Sequence, residues 1–450
     1  MIARRHFVSL LILYDYNKTT PLRQVNVYPE PKKEPALMPR AWLIILLNAL
    51  YSIADALCSV FVGVYFYIHS FDVSLVFQHY ATLYLTTPIA FIVAGWYAKT
   101  KDRAHVFRIG LILHAVYYAS LLYLREESIA HVIPLGALFG ITWGFFWAGN
   151  NTFQYDFSPG AKGREYFLGL ISGVSNGAKL IAPLLSGAII SLCPTPERGY
   201  HTIFFLALLI YLVAIAASFK IPHHKSAQPF RLRTALLPPK EHRDWRLILL
   251  ASFTLAGSFH IFHFLMAIMM YMESGSEAAV GGYVSLQGIV TVLTAFWVGK
   301  FVQPRTRASY MFWGVAVLVA AGMIVTWDIT YLTLILFAFL RSISLPLFGI
   351  PHTAIRFEVM QQTIADASER IEYLCAWEVP LACGRLSMMC LTMLIHAFFG
   401  VPGLRFTVLF LCLVRIATYM LVTRVSFVKD PALAQTGASR FQTEIDHGDS

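Results

Sequence analysis

Twelve long apolar stretches follow one another between Leu43 and Phe427, separated by short turns rich in Lys, Arg, Pro and Gly. A helix that crosses a hydrocarbon core needs about 20 apolar residues. On that length the pattern predicts spans at 41–67, 75–98, 105–124, 130–151, 166–192, 201–221, 246–272, 279–302, 308–327, 330–350, 371–398 and 404–427. Asp55, Lys179, Arg341, Glu378 and Arg385 stand near the middle of such stretches. A charge at bilayer depth costs from about 3 to more than 10 kcal/mol, so it faces a wet cavity or a partner rather than lipid. The expected fold class is an all-α polytopic membrane protein with a polar interior.

Composition agrees with the pattern: apolar residues make up 57% of the 450 and charged residues 13%, with a mean hydropathy of +0.61. An ordinary soluble domain carries about 25% charged residues. The net charge of +10 would suggest nucleic acid in a soluble protein. Here the basic residues crowd into alternate loops, Lys99, Lys101, Arg103 and Arg108, then Lys162 and Arg164, then Lys300, Arg305 and Arg307. The other loops hold little beyond Arg125, Arg198 and Arg405. This is the asymmetry of the positive-inside rule, so basicity reports topology, both termini are expected in the cytoplasm, and no nucleic-acid partner is expected. The six cysteines lie mostly in apolar helices without C-x-x-C spacing and read as packing residues.

The segment Pro222–Arg243 carries Lys225, Arg231, Arg233, Lys240 and Arg243 with Pro229, Pro238 and Pro239. It divides an N-terminal six-helix bundle, 41–221, from a C-terminal one, 246–427, with a basic cytoplasmic linker at 222–245. The linker's cations rest on anionic headgroups or are simply solvated. Residues 1–40 form an N-terminal extension whose apolar run Phe7–Leu13 lacks a small-residue cleavage site, so no cleaved signal is expected. Met38 is an alternative start. Residues 428–450 are polar and expected to be disordered.

The halves echo one another. AFIVAGWYAKTKDRAHVF (Ala90 to Phe107) pairs with AFWVGKFVQPRTRASYMF (Ala295 to Phe312), and Glu165-Tyr166 with Gly177 pairs with Glu372-Tyr373 and Gly384 at identical internal spacing. Two echoes at similar offsets of about 205 residues favour duplication, the device by which many transporters build a central site.

Twelve spans, a basic central loop, the 6+6 repeat and a Gly-plus-basic turn after the second and eighth spans resemble the major facilitator superfamily, over roughly Leu43 to Phe427. In that family the turn after the second span reads G-x-x-x-D-R-x-G-R-R and acts as an inner gate. Gly95 matches, Lys99 stands in place of the acid, and Asp102-Arg103 comes three residues late. The resemblance therefore implies a degraded gate in which Gly95 and Arg103 carry over. The fifth span is similar to the family's antiporter pattern G-x8-G-P-x-x-G-G, with Gly173, Ala182-Pro183 and Ser186-Gly187 at the same spacing. Small residues and a proline suit a moving helix interface, and the likeness leans toward export. The runs Leu46–Tyr67 and Gly140–Asn151 resemble a bacterial branch of permeases without an assigned substrate, which implies a plasma-membrane protein, in bacteria the inner membrane.

Helical spacing aligns Asn48, Tyr51, Ser52, Asp55 and Ser59 on one face of the first span, and Ser172, Asn176, Lys179, Pro183 and Ser186 on one face of the fifth. The family fold implies that both spans border a central cavity, so Asp55 and Lys179 form a candidate pair that opens for substrate or a proton. Glu378 and Arg385 share a face of the eleventh span, and Arg341 lies midway along the tenth. Three cations against two acids suggest an acidic cargo, while Arg415 reads as a peripheral charge off the path. Locking of the halves by these charges is the alternative. Asp55 and Glu378 are the carboxylates available for proton coupling.

Trp143 and Trp147, on the face of Asn150 and Gln154, stack on cargo or anchor at the interface. His260 and His263 lack a third ligand nearby and read as cavity or packing groups rather than metal ligands. Gln287 continues a polar stripe with Thr291 and Thr294. His352, Arg356, Glu358, Asp366 and Glu369 read as a solvated intracellular helix.

No G-x-x-x-x-G-K-[ST] motif is present. The function expected is a secondary-active transporter of a small acidic or amphipathic solute, monomeric, in contact with membrane lipids, with protons as candidate coupling ion and no cofactor or metal. A transporter-shaped receptor that does not cycle, or a polytopic lipid-modifying enzyme, are the rival readings.

Overall fold

The computed structural model describes residues 39–156, 160–222, 229–364 and 369–429. The expected extension and tail fall outside the described residues but for their inner edges, as does Asp366. Thirteen α-helices occur among the described residues, and no strand: α1 (Pro39–Ser70), α2 (Val73–Thr100), α3 (Arg103–Leu124), α4 (Val132–Asp156), α5 (Gly160–Leu192), α6 (Pro196–Ser218), the short α7 (Leu232–Leu236), α8 (Arg243–Ser274), α9 (Glu277–Phe301), α10 (Arg307–Trp327), α11 (Tyr331–Thr363), α12 (Arg370–Val422) and the short α13 (Ser426–Lys429).

Ten described stretches are long and apolar enough to cross a membrane. Two of them, Arg103–Phe153 and Arg370–Val422, run to 51 and 53 residues, more than twice the crossing length of about 20. Each is interrupted. A 3-10 turn, Arg125–His131, separates α3 from α4, and α12 breaks at Gly400, whose φ of 63° and ψ of −160° suit only glycine.

The turns carry their own stop and start signals. Asp72 and Asp102 accept hydrogen bonds from Ser74 N and Ala104 N, both at 2.8 Å, and so cap α2 and α3. Gly275, at φ 61°, ends α8 in the left-handed region. Within the first half α2 and α3 pack on α4, and α1 on α5 and α6. Glycines bring α4 against α2: a Cβ on Gly144 would lie 2.6 Å from Phe91 N, and one on Gly136 or Gly140 would run into the backbone of His79 or Leu83. Lipid is as apolar as leucine, so close backbone packing of this kind holds such helices together. In the second half α8 packs on α12 and α10 on α11. Across the halves α5 meets α9, α2 meets α12 and α1 meets α8.

Two of the boundaries that differ from expectation bear on the site. α8 begins at Arg243, inside the expected linker, whose described part is tied down where Trp245 Nε1 donates to Ala235 O at 2.8 Å. α11 continues to Thr363 through Pro346 and Pro351, so His352, Arg356 and Glu358 are not on a separate solvated helix. Neighbouring helices tolerate the prolines, and the helix carries these polar residues back into the protein.

Candidate functional site

A cavity of about 690 Å³ lies between the halves. Its wall comes from α2, α4 and the first residue of α3 on one side, and from α8, α11 and α12 on the other. It runs from His260 and Arg385, midway along α8 and the first limb of α12, to Arg103, Gln361 and Arg370. The latter lie at the end where Lys99, Lys101, Lys300 and Arg305 gather, called here the basic end.

At the far end the halves close through aromatic rings. Tyr80 stacks on Phe264 with centroids 4.0 Å apart, Phe77 meets Phe264 edge-on at 6.2 Å and His396 at 5.5 Å, and Tyr67 meets Tyr271 at 6.3 Å. α5 and α9 touch along small residues there: a Cβ on Gly187 would lie 2.6 Å from Glu277 O, and one on Gly281 would run into Pro183 O. Pro183 and Gly187 thus sit on a seam between the halves. Gly173 does not, since nothing lies within 4 Å of a Cβ built on it.

At the basic end the contact between halves is ionic. Lys99 of α2 pairs with Glu372 of α12, both side chains at 3% exposure or less, and Arg231 N of the linker also donates to Glu372 at 3.1 Å. One turn earlier a Cβ on Gly95 would lie 2.6 Å from Cys375 Sγ. Lys99 and Glu372 thus join the halves one turn from Gly95. Lysine stands on α2 where the family pattern has an acid, and α12 supplies the acid. Asp102 serves as the α3 cap, and Arg103 lines the cavity mouth.

Glu378 and Arg385 form an ion pair across two turns of α12, with Arg385 Cζ 5.7 Å from the Tyr84 ring. His260 joins them in the wall, 6.2 Å from Tyr84 by ring centroids, and Trp147 faces the same space. Asp55 and Lys179 are not joined by an ion pair. Asp55 Oδ1 is buried without a hydrogen-bond partner among protein atoms, yet Lys179 is the charge acting on it. Lys179 and Arg341 both act on His263, which places a second charged group where α1, α5, α8 and α11 converge. Arg341 is 6% exposed, its Cζ 5.4 Å from the Phe262 ring.

Of the remaining candidates, Asn176 donates to Ser172 at 3.2 Å, Gln287 is half-buried on α9, and Asn150 is buried in α4, its neighbour Asn151 being the one in the cavity wall. In the polar stripe of α1, Ser52 bonds Ser175 at 2.9 Å, whereas Tyr51 turns into the first half, stacked 3.5 Å on Phe146. No group of three or more His, Cys, Asp or Glu side chains suited to a metal occurs among the described residues.

Three wall residues escape the sequence reading. His352 is 3% exposed, Arg356 lies 3.9 Å over the Trp377 ring, and Arg415 is 4% exposed with its Cζ 4.7 Å from the Phe348 ring. Arg415 is thus a wall residue and not peripheral. The spacing of His352 and Arg356, one turn apart on a helix that already buries Arg341, is the signal that would have found two of them.

Comparison with known proteins agrees with this architecture. The protein YqgE of Bacillus subtilis (strain 168), described as uncharacterized, is 26% identical over 353 residues, 78% of this chain and 82% of that one. The crystal structure of the E. coli fucose:proton symporter FucP superposes with a TM-score of 0.58 at 15% identity, covering 86% of this chain and 98% of that one. The POT family transporter PepTSo gives 0.68 at 13% identity, covering 87% and 98%. At these identities the superpositions speak for the fold. The sequence model of the Major Facilitator Superfamily matches residues 44–370, and with the helices packed as two halves around a charged cavity, the chain is a member of that superfamily of membrane transporters.

Proposed function

We propose that this membrane transporter is secondary-active and moves a small acidic or amphipathic solute by alternating access, as a monomer in the plasma membrane. The carrying observation is the cavity between the halves, shut by rings at one end and reaching the basic end at the other. Rocking of the halves around a midplane site would exchange the two closures. The loop asymmetry puts the basic end in the cytoplasm, where the Lys99–Glu372 pair joins the halves beside the cavity.

Asp55 and Glu378 are the proposed proton carriers. Tyr80 and Tyr84, one turn apart on α2, lie within electrostatic reach of Asp55 and Arg385 respectively, and so span the distance between the two charged groups. The outward direction of transport rests on the antiporter-like run Gly173 to Gly187, of which Pro183 and Gly187 lie on the α5–α9 seam. The receptor reading drew its support from a failed inner gate, and the Lys99–Glu372 pair supplies the closing contact that reading denied.

The test compares intracellular and extracellular metabolites in cells with the wild type or Asp55→Asn/Lys179→Gln at matched surface expression. A compound whose distribution follows the intact pair supports the reading and names cargo and direction. Coincident profiles, with both proteins still cycling by cysteine accessibility, remove the pair from the mechanism. A wild type that does not cycle returns the receptor reading.

A further inference from the structure

The charges in the cavity wall do not balance. Arg385 is paired with Glu378, the carboxylate among the described wall residues, and the same wall carries Arg356 and Arg415. Among the described residues Arg356 and Arg415 form no ion pair with a carboxylate. Their neighbours are rings, Trp377 at 3.9 Å and Phe348 at 4.7 Å. Phe348, whose ring lies under Arg415, stacks on His352 at 5.7 Å, and His352 is one turn before Arg356 on α11, which sets the two cations around one part of the cavity.

The hydrogen-bonding groups are unbalanced in the same sense. Arg415 is 4% exposed, and its Nε has no hydrogen-bond partner among protein atoms. The indole Nε1 groups of Trp143 and Trp377 are in the same condition. All three are groups that only donate, and a guanidinium does not shed its charge in proteins. A buried donor left unmade costs about 1–3 kcal/mol and an unpaired buried charge more. A guanidinium stacked on a ring keeps its in-plane N–H groups free for a bidentate acceptor. A neutral polyol would answer the donors but not the charge, and a cation would add to it.

Resting on the transport reading, we propose that this cavity is a binding site for an organic anion, a carboxylate or phosphate carried on a flat apolar body. Arg356 and Arg415 hold the anionic group, the indole N–H groups of Trp143 and Trp377 donate to it, and the faces of Trp147 and Trp377 with the apolar wall cover the body. A volume of about 690 Å³ is in the usual range for a small-molecule site, about 300–1,000 Å³.

The test uses the full chain purified in detergent, with 2-naphthoate and 2-naphthyl phosphate as probes, and 2-naphthamide and 2-naphthylmethylammonium as isosteres. Binding is read by tryptophan quenching and by the melting temperature. Both anions should bind at least tenfold more tightly than either isostere. Arg356→Gln and Arg415→Gln, each eluting as a single species, should weaken the anions at least tenfold, while Arg405→Gln, outside the cavity, leaves them unchanged. Dihexanoyl phosphatidic acid provides the lipid arm.

Equal binding of the isosteres overturns the proposal, as does undiminished anion binding by the folded arginine variants. Binding of the phosphatidic acid to the exclusion of both naphthyl anions overturns it in favour of a lipid headgroup. If the glutamine variants do not fold, the comparison of anions with isosteres on the wild type still decides. A protein that cycles but shows no anion preference sinks this inference and spares the transport reading. One that binds anions without cycling does the reverse.

Discussion

Where the halves meet at the far end, Tyr80 lies 4.0 Å from Phe264 and Gly187 and Gly281 bring α5 against α9, whereas at the basic end Lys99 meets Glu372 beside an open cavity. Ring and backbone contacts are short-ranged and numerous, and each is worth about 1 kcal/mol. They are lost together when the surfaces part. A buried ion pair is different. It has cost the desolvation of two charges, and water takes both back when the end opens, so the net closing force is small against the Coulomb attraction. The two ends are thus closed by contacts that respond differently to substitution.

The largest effect is expected from Lys99→Glu. Two carboxylates would then face each other where a buried pair stood, at a cost of about 3–5 kcal/mol to closure. The readout is maleimide labelling of Cys375, which is buried beside Gly95. Labelling should accelerate in the single variant and slow again when Glu372→Lys restores opposite charges. Protection of Cys375 in the single variant would show that the pair is not what holds this end.

At the far end Gly281→Val should lower the melting temperature of the purified protein, since the new side chain meets Pro183 O and overpacking costs about 1–3 kcal/mol. Gly282→Val, with nothing within 4 Å of its Cβ, is the control that should shift little. Equal shifts would dissolve the α5–α9 seam as a close contact. Phe264→Ala removes the stack on Tyr80 and the edge contact with Phe77, about 0.5–1.5 kcal/mol for each pair. Spin labels across this end should report a longer mean distance in the variant. Asp55→Asn should move the melting temperature least, by the equivalent of less than about 1 kcal/mol, because Asp55 Oδ1 makes no hydrogen bond to lose. Proton uptake by reconstituted vesicles should nonetheless disappear; persistence of uptake excludes Asp55 as a carrier.

The helices and their division into halves were legible because a crossing needs some twenty apolar residues, and a chain cannot hide that length. The charged midpoints were legible for the same reason: Glu378, Arg385 and Arg341 are conspicuous against Leu and Phe. What escaped was whatever depended on a helix being longer than its apolar window. α11 runs past Pro346 and Pro351 to Thr363, so Arg356 reaches the cavity from a segment that reads as a separate solvated helix. Arg415 escaped because one charge on a distant span carries no periodicity, and only the break at Gly400 and the packing of the second limb bring it to the wall. Lys99 was visible as a departure from a pattern. Its partner was not, since the pairing joins positions 273 residues apart.

Glu372 receives a second donor besides Lys99, the backbone N–H of Arg231, and on the other side Trp245 holds the carbonyl of Ala235. The stretch of chain that joins the two halves is thereby pinned at the doorway they share. Whenever Lys99 and Glu372 part, one of its two pins loosens with them. A protease supplied on that side would therefore cut this strap in proportion to the time the doorway stands ajar, and the rate of nicking becomes a clock for a motion that no contact within either half records.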